Sequence, residues 1–161
     1  MELQRLRLDH EVSILEFERA NRAYFAESIT DRGDDFFEHF AERHRAMLTE
    51  QDAGRGAFFV RIEEDGTVAG RFNLYDIVDG TAQVGYRVAQ RAAGRGVATA
   101  GLRELCRIAA GECGLRMLKA AASDANVASQ RVLANGGFVV IGPAQIEGRT
   151  GVLYELALAH P

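Results

Sequence analysis

Lysine is almost missing from this 161-residue chain: of its 19 basic residues all but Lys119 are arginine. Guanidinium suits carboxylate and phosphate, although a compositional bias of the coding sequence accounts for the skew as well. A basic excess is missing too, and the net charge of −4 argues against a nucleic-acid partner. No apolar run approaches the roughly 20 residues of a membrane span, and the opening MELQRLRLDH lacks a signal-peptide core. The expectation is a cytoplasmic protein with no membrane partner. Cysteine is reduced to Cys106 and Cys113, about 10 Å apart along one predicted helix, beyond the roughly 7 Å that a disulfide tolerates. Both read as reduced core thiols. His39 and His44 miss the i,i+4 ligand spacing, so no metal is expected. Linkers, repeats and low-complexity segments are absent, which leaves a single domain over residues 1–161.

What is present alternates strand-like and helix-like patterns. ELQRLRL reads as a first strand. Asp9 is placed to cap a helix from about His10 to Glu27, TDRGDD breaks it, and a second helix runs from about Asp35 to Glu50. AFFVRIE and TVAGRFNLYDIV flank the hairpin signal EEDG, and DGT turns the chain into AQVGYRVA. Val97–Cys113 is an amphipathic helix stopped by Gly114. LRMLKAAAS is a strand, Ala125–Asn135 a short helix, and FVVIGPAQ and VLYELAL a closing strand pair around EGRTG. The order is β-α-α-β-β-β-α-β-α-β-β, an α/β (α+β) chain with one mixed sheet of about seven strands and helices on both faces.

The stretch VAQRAAGRGVAT, Val88–Thr99, carries the chemistry. It leads from a strand into a helix, whose first N–H groups are unpaired and attract anions. Ala92, Ala93, Gly94 and Gly96 keep the backbone approachable, while Arg91 and Arg95 add charge. The competing reading is a strand-to-helix turn that needs glycine for φ alone. A P-loop is excluded because the loop has no lysine. A dinucleotide fingerprint is weakened because its third glycine position holds Thr99 and an antiparallel meander precedes it, so an oxidoreductase is improbable.

Arg91-x-x-Gly94-x-Gly96 resembles the pyrophosphate loop of the GNAT N-acetyltransferases. Asn126-Val-Ala-Ser129, followed by Gly137-Phe138, is similar to a second segment of that superfamily, and the element order matches the GNAT fold. GYRV together with Asn21-Arg22-Ala-Tyr24 looks most like the RimJ/RimL branch, whose members acetylate N-terminal amines of ribosomal proteins.

The resemblance implies acetyl-coenzyme A as co-substrate and a primary amine, small molecule or protein N-terminus, as acceptor. Arg91, Ala93, Gly94, Arg95, Gly96, Val97 and Ala98 would surround the pyrophosphate. Backbone from Tyr86 to Val88, on a strand splayed from its neighbour, would receive pantetheine and stabilise the oxyanion. Tyr86 is otherwise a packed strand aromatic. The superfamily's common tyrosine position is Leu133 here, so Ser129 is the candidate proton donor to the leaving thiolate, or else a cofactor contact only. Asn126 is a cofactor contact or a helix cap. Where relatives often carry a base stands Gln83, which cannot titrate; Glu147 is the substitute, and solvent is the alternative. Asn21, Arg22, Tyr24 and Phe25 line the acceptor or pack a helix. The missing base also motivates a second reading, a non-catalytic acetyl-coenzyme A sensor. A homodimer is compatible with either.

Overall fold

Two consecutive antiparallel hairpins, preceded in the sheet by a short edge strand, build half of it, as their turn residues dictate. In the computed structural model, which describes residues 2–159, β1 (Gln4–Arg5), β2 (Ala57–Ile62), β3 (Val68–Val78) and β4 (Thr81–Val88) pair in order. The β3–β4 turn is Asp79-Gly80 with φ of 51° and 76°, the double left-handed geometry whose twist matches the flanking strands. The same geometry recurs at Glu147 (50°) and Gly148 (80°) between β6 (Val139–Ile146) and β7 (Arg149–Ala157). β5 (Met117–Ser123) joins the halves, giving the order β1-β2-β3-β4-β5-β7-β6.

The helices cover both faces. α5 (Val97–Gly111) and α6 (Val127–Asn135) lie over a core that includes Phe59, Phe72, Leu102, Leu105, Leu118 and Leu133. α5 approaches β3 so closely that a Cβ on Gly101 would lie inside the Phe72 ring. Glycine is required there by contact. The opposite face carries α1 (Glu11–Ala20), α2 (Arg22–Ala26), α3 (Asp34–Glu38) and α4 (Phe40–Asp52) over Ile14, Phe17, Phe36, Phe40, Phe58 and Val60.

The element order is the one expected; the first strand forms only over Gln4–Arg5, and there are three further local departures. The first helix breaks at Asn21 (φ −106°, ψ 7°), because the Asn21 amide donates to Phe17 O at 2.9 Å and its oxygen accepts Gln90 N–H at 3.0 Å. A side chain satisfied this way competes with the helix ladder. The second breaks at His39. Asp9 does not cap: it pairs with Arg7 at 3.0 Å, while His10 Nδ1 accepts the Arg7 N–H. Both cysteines are free, and burial pushes the Cys106 thiol up to about 11. Among the described residues no helix is long and apolar enough to cross a membrane.

Candidate active site

β4 and β5 are parallel neighbours through only three residue pairs, Thr81–Met117, Ala82–Leu118 and Gln83–Lys119. Beyond Gln83 they diverge. β4 stays bonded to β3 through Val88, and β5 to β7 through Ser123. The backbone groups of Val84–Val88 and Ala120–Ser123 that point into the gap therefore lack strand partners. Unpaired backbone of this kind must be solvated or bonded to a ligand. The gap is the floor of the site.

At its wide end lies the glycine loop. A 3-10 turn over Gln90–Ala92 leads to Gly94 and Gly96, both left-handed at φ 76° and 77°. Nothing lies within 4 Å of where a Cβ on either would stand. The glycines are thus demanded by φ, and the space above them is open. The α5 ladder begins with Ala100 N–H bonding Gly96 O, which leaves the preceding N–H groups of the first turn facing a cavity of about 330 Å³. Its lining includes Ala93, Gly94, Gly96, Val97 and Ala98 from the loop, Tyr24 and Phe25 from α2, Val88 from β4, and Asn126 and Ser129 from α6. A helix start with free N–H groups and positive dipole can hold an anion such as a phosphate.

Two hydroxyls meet where this cavity joins a second one of about 160 Å³. Tyr86 Oη lies 2.9 Å from Ser129 Oγ, and Ser129 N–H donates to Asn126 Oδ1 at 3.2 Å. Asn126 is thus the N-cap of α6 while also facing the cavity. The Tyr86 ring stacks on Phe72 with centroids 6.1 Å apart. Burial pushes the Tyr86 phenol up, against the opposing pull of the Ser129 hydrogen bond. The phenol is therefore a protonated donor at neutral pH. The second cavity is walled by Val84, Tyr86, β5 residues, Ser123 and the β6–β7 turn, with Glu147 as its only lining carboxylate among the described residues.

Several residues expected at the site are placed elsewhere. Arg91 Nη2 bonds Thr67 Oγ1 at 2.7 Å and Val68 O at 3.2 Å, anchoring the loop to the β2–β3 hairpin; neither Arg91 nor Arg95 lines the cavity. Asn21 is occupied by Phe17 and Gln90, so it fixes the start of the loop. Arg22 is held by Asp31 at 2.8 Å and Asp34 at 2.9 Å and lies over the Phe37 ring. Gln83 is exposed, outside the cavities. Leu133, by contrast, is buried at 1% exposure and forms part of the wall of the second cavity.

Three features had no counterpart in the sequence reading. Ser28 and Ile29, just past α2, line both cavities. Ser123 Oγ is buried beside the second cavity without a hydrogen-bond partner. The pairing of Tyr86 with Ser129 spans 43 residues and has no local signal. Asp35, Glu38 and His39 form an exposed group with ligand atoms within 4.8 Å of one another. It lies outside both cavities, and Asp35 already pairs with His39 and Arg43.

The family model for the acetyltransferase (GNAT) domain matches residues 1–139. No curated protein sequence matches the chain. Among solved structures, the ribosomal-protein-S5-alanine acetyltransferase of Vibrio fischeri superposes with TM-score 0.90 at 21% identity, covering 97% of this chain and 92% of that one. RimJ of Mycobacterium smegmatis, solved with a coenzyme A disulfide, gives 0.85 at 22% identity over 96% and 80%. A chimera of the Vibrio cholerae spermidine N-acetyltransferase SpeG gives 0.79 at 15% over 98% and 95%. These similarities are ones of fold, and together with the family match over most of the sequence they place the protein: the chain belongs to the GNAT acetyltransferase family.

Proposed function

We propose that the protein transfers the acetyl group of acetyl-coenzyme A to a primary amine by direct attack, within a complex holding both substrates. The observation that carries this reading is the junction of the two cavities. The split between β4 and β5 opens on one side to the glycine loop and on the other to a separate pocket, with the Tyr86–Ser129 pair between them.

The unpaired N–H groups of Gly94 and Gly96–Ala98 suit the pyrophosphate, and those of Tyr86–Val88 that face away from β3 suit the amide-bearing arm and the carbonyl oxygen as negative charge builds on it. The amine enters from the second cavity. Its nitrogen forms a bond to the acetyl carbon as the carbon–sulfur bond breaks. The departing thiolate takes a proton through the Ser129 hydroxyl, which the buried Tyr86 phenol backs. The proton lost by the amine passes to Glu147 or to solvent. The S5-alanine enzyme acts on a ribosomal protein by name, and an α-amine is the acceptor we propose for this chain. With a pKa near 8, roughly a tenth of it is neutral at pH 7.

Thermal unfolding with and without acetyl-coenzyme A tests the reading. At a hundredfold excess over Kd the ligand adds about 2.7 kcal/mol, a clear rise in Tm. Gly96→Val removes the left-handed N-cap and should abolish that rise while the free protein stays folded. An unchanged Tm in the native protein, or release of coenzyme A that does not depend on added amine, sinks the proposal.

A further inference from the structure

The face of the sheet under α1 carries a second set of charges, which the transfer mechanism leaves unused. β3 and β4 pair Arg71 with Arg87 and Asn73 with Gly85. Glu18 of α1, 1% exposed, accepts one N–H from Arg71 and one from Arg87, both at 2.8 Å. Arg71 is itself only 5% exposed. One carboxylate thus serves two guanidinium groups, Arg71 buried and Arg87 partly buried. Arg32, whose guanidinium lies 4.9 Å over the Phe36 ring, adds a third cation and has no carboxylate partner among the described residues.

These three arginines enclose a cavity of about 210 Å³ together with Asn73 and Tyr75. Asn73 Nδ2 donates to Tyr75 Oη at 2.9 Å, so the Tyr75 hydroxyl keeps its own proton to donate. The Tyr75 ring covers Gly85, where a Cβ would come within 2.9 Å of it. Among the described residues no carboxylate lines this space. Its edge is formed by Ile29 and Tyr86, the same residues that border the cofactor and acceptor cavities. A brace between α1 and the sheet accounts for Glu18, Arg71 and Arg87, but not for Arg32 or for the open space. Arg32 is itself exposed to solvent and lines the cavity beside the cations Arg71 and Arg87. A surplus of cations with free N–H groups around a partly desolvated space is stabilised by an anion.

We infer that this cavity holds a carboxylate of the acceptor, so that the enzyme selects amines carrying an acidic group. The inference rests on the acetyl-transfer reading above. The three guanidinium forks and the Tyr75 hydroxyl bind the carboxylate, and the rim shared at Ile29 and Tyr86 directs the amine toward the reacting centre. The carboxylate comes from a small acidic amino compound or from an acidic residue next to a peptide N-terminus. The chemistry at the arginines is common to both.

Rates of coenzyme A release with matched acceptors test it: isoglutamine (glutamic acid α-amide) against glutamine amide, and the C-terminally amidated peptide Ala-Glu-Ala-Ala against amidated Ala-Gln-Ala-Ala, with spermidine as a cationic control. A site built to bond a group rejects the analogue lacking it, so kcat/KM should favour the carboxylate member of at least one pair by about tenfold or more. The pair with the higher kcat/KM identifies the source. In Arg32→Gln the preference should fall toward one through KM, and Arg32→Lys should restore part of it. Equal rates within both pairs, faster transfer to spermidine, or a preference that survives Arg32→Gln overturns the inference. If no acceptor is acetylated, the transfer reading fails and the acceptor claim with it. The anion site is then judged separately, by a Tm rise with glutarate but not glutaramide that Arg32→Gln removes; equal shifts for the two compounds dismiss the site.

Discussion

Tyr86 and Ser129 reach each other from β4 and α6, and among the described residues neither hydroxyl bonds a carboxylate or a cation. A pair of neutral hydroxyls works as a proton donor only while both are protonated. Burial holds the phenol above its ordinary pKa of 10.0, so under the proposed mechanism the proton for the leaving group stays in place through the neutral and mildly alkaline range. We expect kcat to stay flat up to about pH 10 on this account and to fall above it. Ser129→Ala should lower kcat by about 10²-fold, the usual scale of a general-acid loss. Tyr86→Phe should cost less, and the double variant no more than Ser129→Ala alone, because the two act as one unit. Single-turnover rates and KM for acetyl-coenzyme A separate this from a binding role, which would raise KM and leave kcat alone. At the same scale Arg22 shows why long side chains mislead: Asp31 and Asp34 claim its guanidinium, while Arg32, which carried no motif, is left facing a cavity.

Among the elements, α5 carries the loop, and its distance from the sheet is set at Gly101. Any larger side chain must push against the Phe72 ring, on which Tyr86 in turn stacks. Gly101→Val should cost about 1–3 kcal/mol by overpacking, read as a lower urea midpoint. It should also weaken coenzyme A binding, because the helix start moves with the helix. Gly111→Ala, on the same helix with nothing within 4 Å, is the control and should raise stability slightly. Local chemistry of this scale was legible in the sequence. The Asp79-Gly80 and Glu147-Gly148 turns, the glycine loop and the amphipathic α5 each announce themselves within a few residues. The breaks at Asn21 and His39 did not. Asn21 interrupts its helix by bonding Gln90, 69 residues away, and no window on the sequence contains both. The same separation hid the Tyr86–Ser129 contact and the arginines around Glu18. Residues 4–5 are all that forms of the first strand, since β2 offers it only two register partners, Val60 and Phe59.

For the whole molecule the main consequence lies in the short union of β4 with β5. Four strands stand on one side of it and three on the other, joined in the sheet by three residue pairs. The two halves share one hydrophobic core beneath α5 and α6, but the seam between them has few interstrand bonds, so its amides are expected to open readily. Amide exchange makes the seam visible. In the free protein the N–H groups of Val84–Val88 and Ala120–Ser123 that bond neither β3 nor β7 should exchange orders of magnitude faster than their alternating neighbours. Saturating acetyl-coenzyme A should slow those amides selectively, while the interiors of β3 and β7 change little. Uniform slowing across the sheet would mean that the two halves already unfold together. If the selective pattern holds, the donor substrate does the work of a missing strand: the fold leaves one interstrand bonding surface unfinished, and each catalytic cycle completes and then dismantles it.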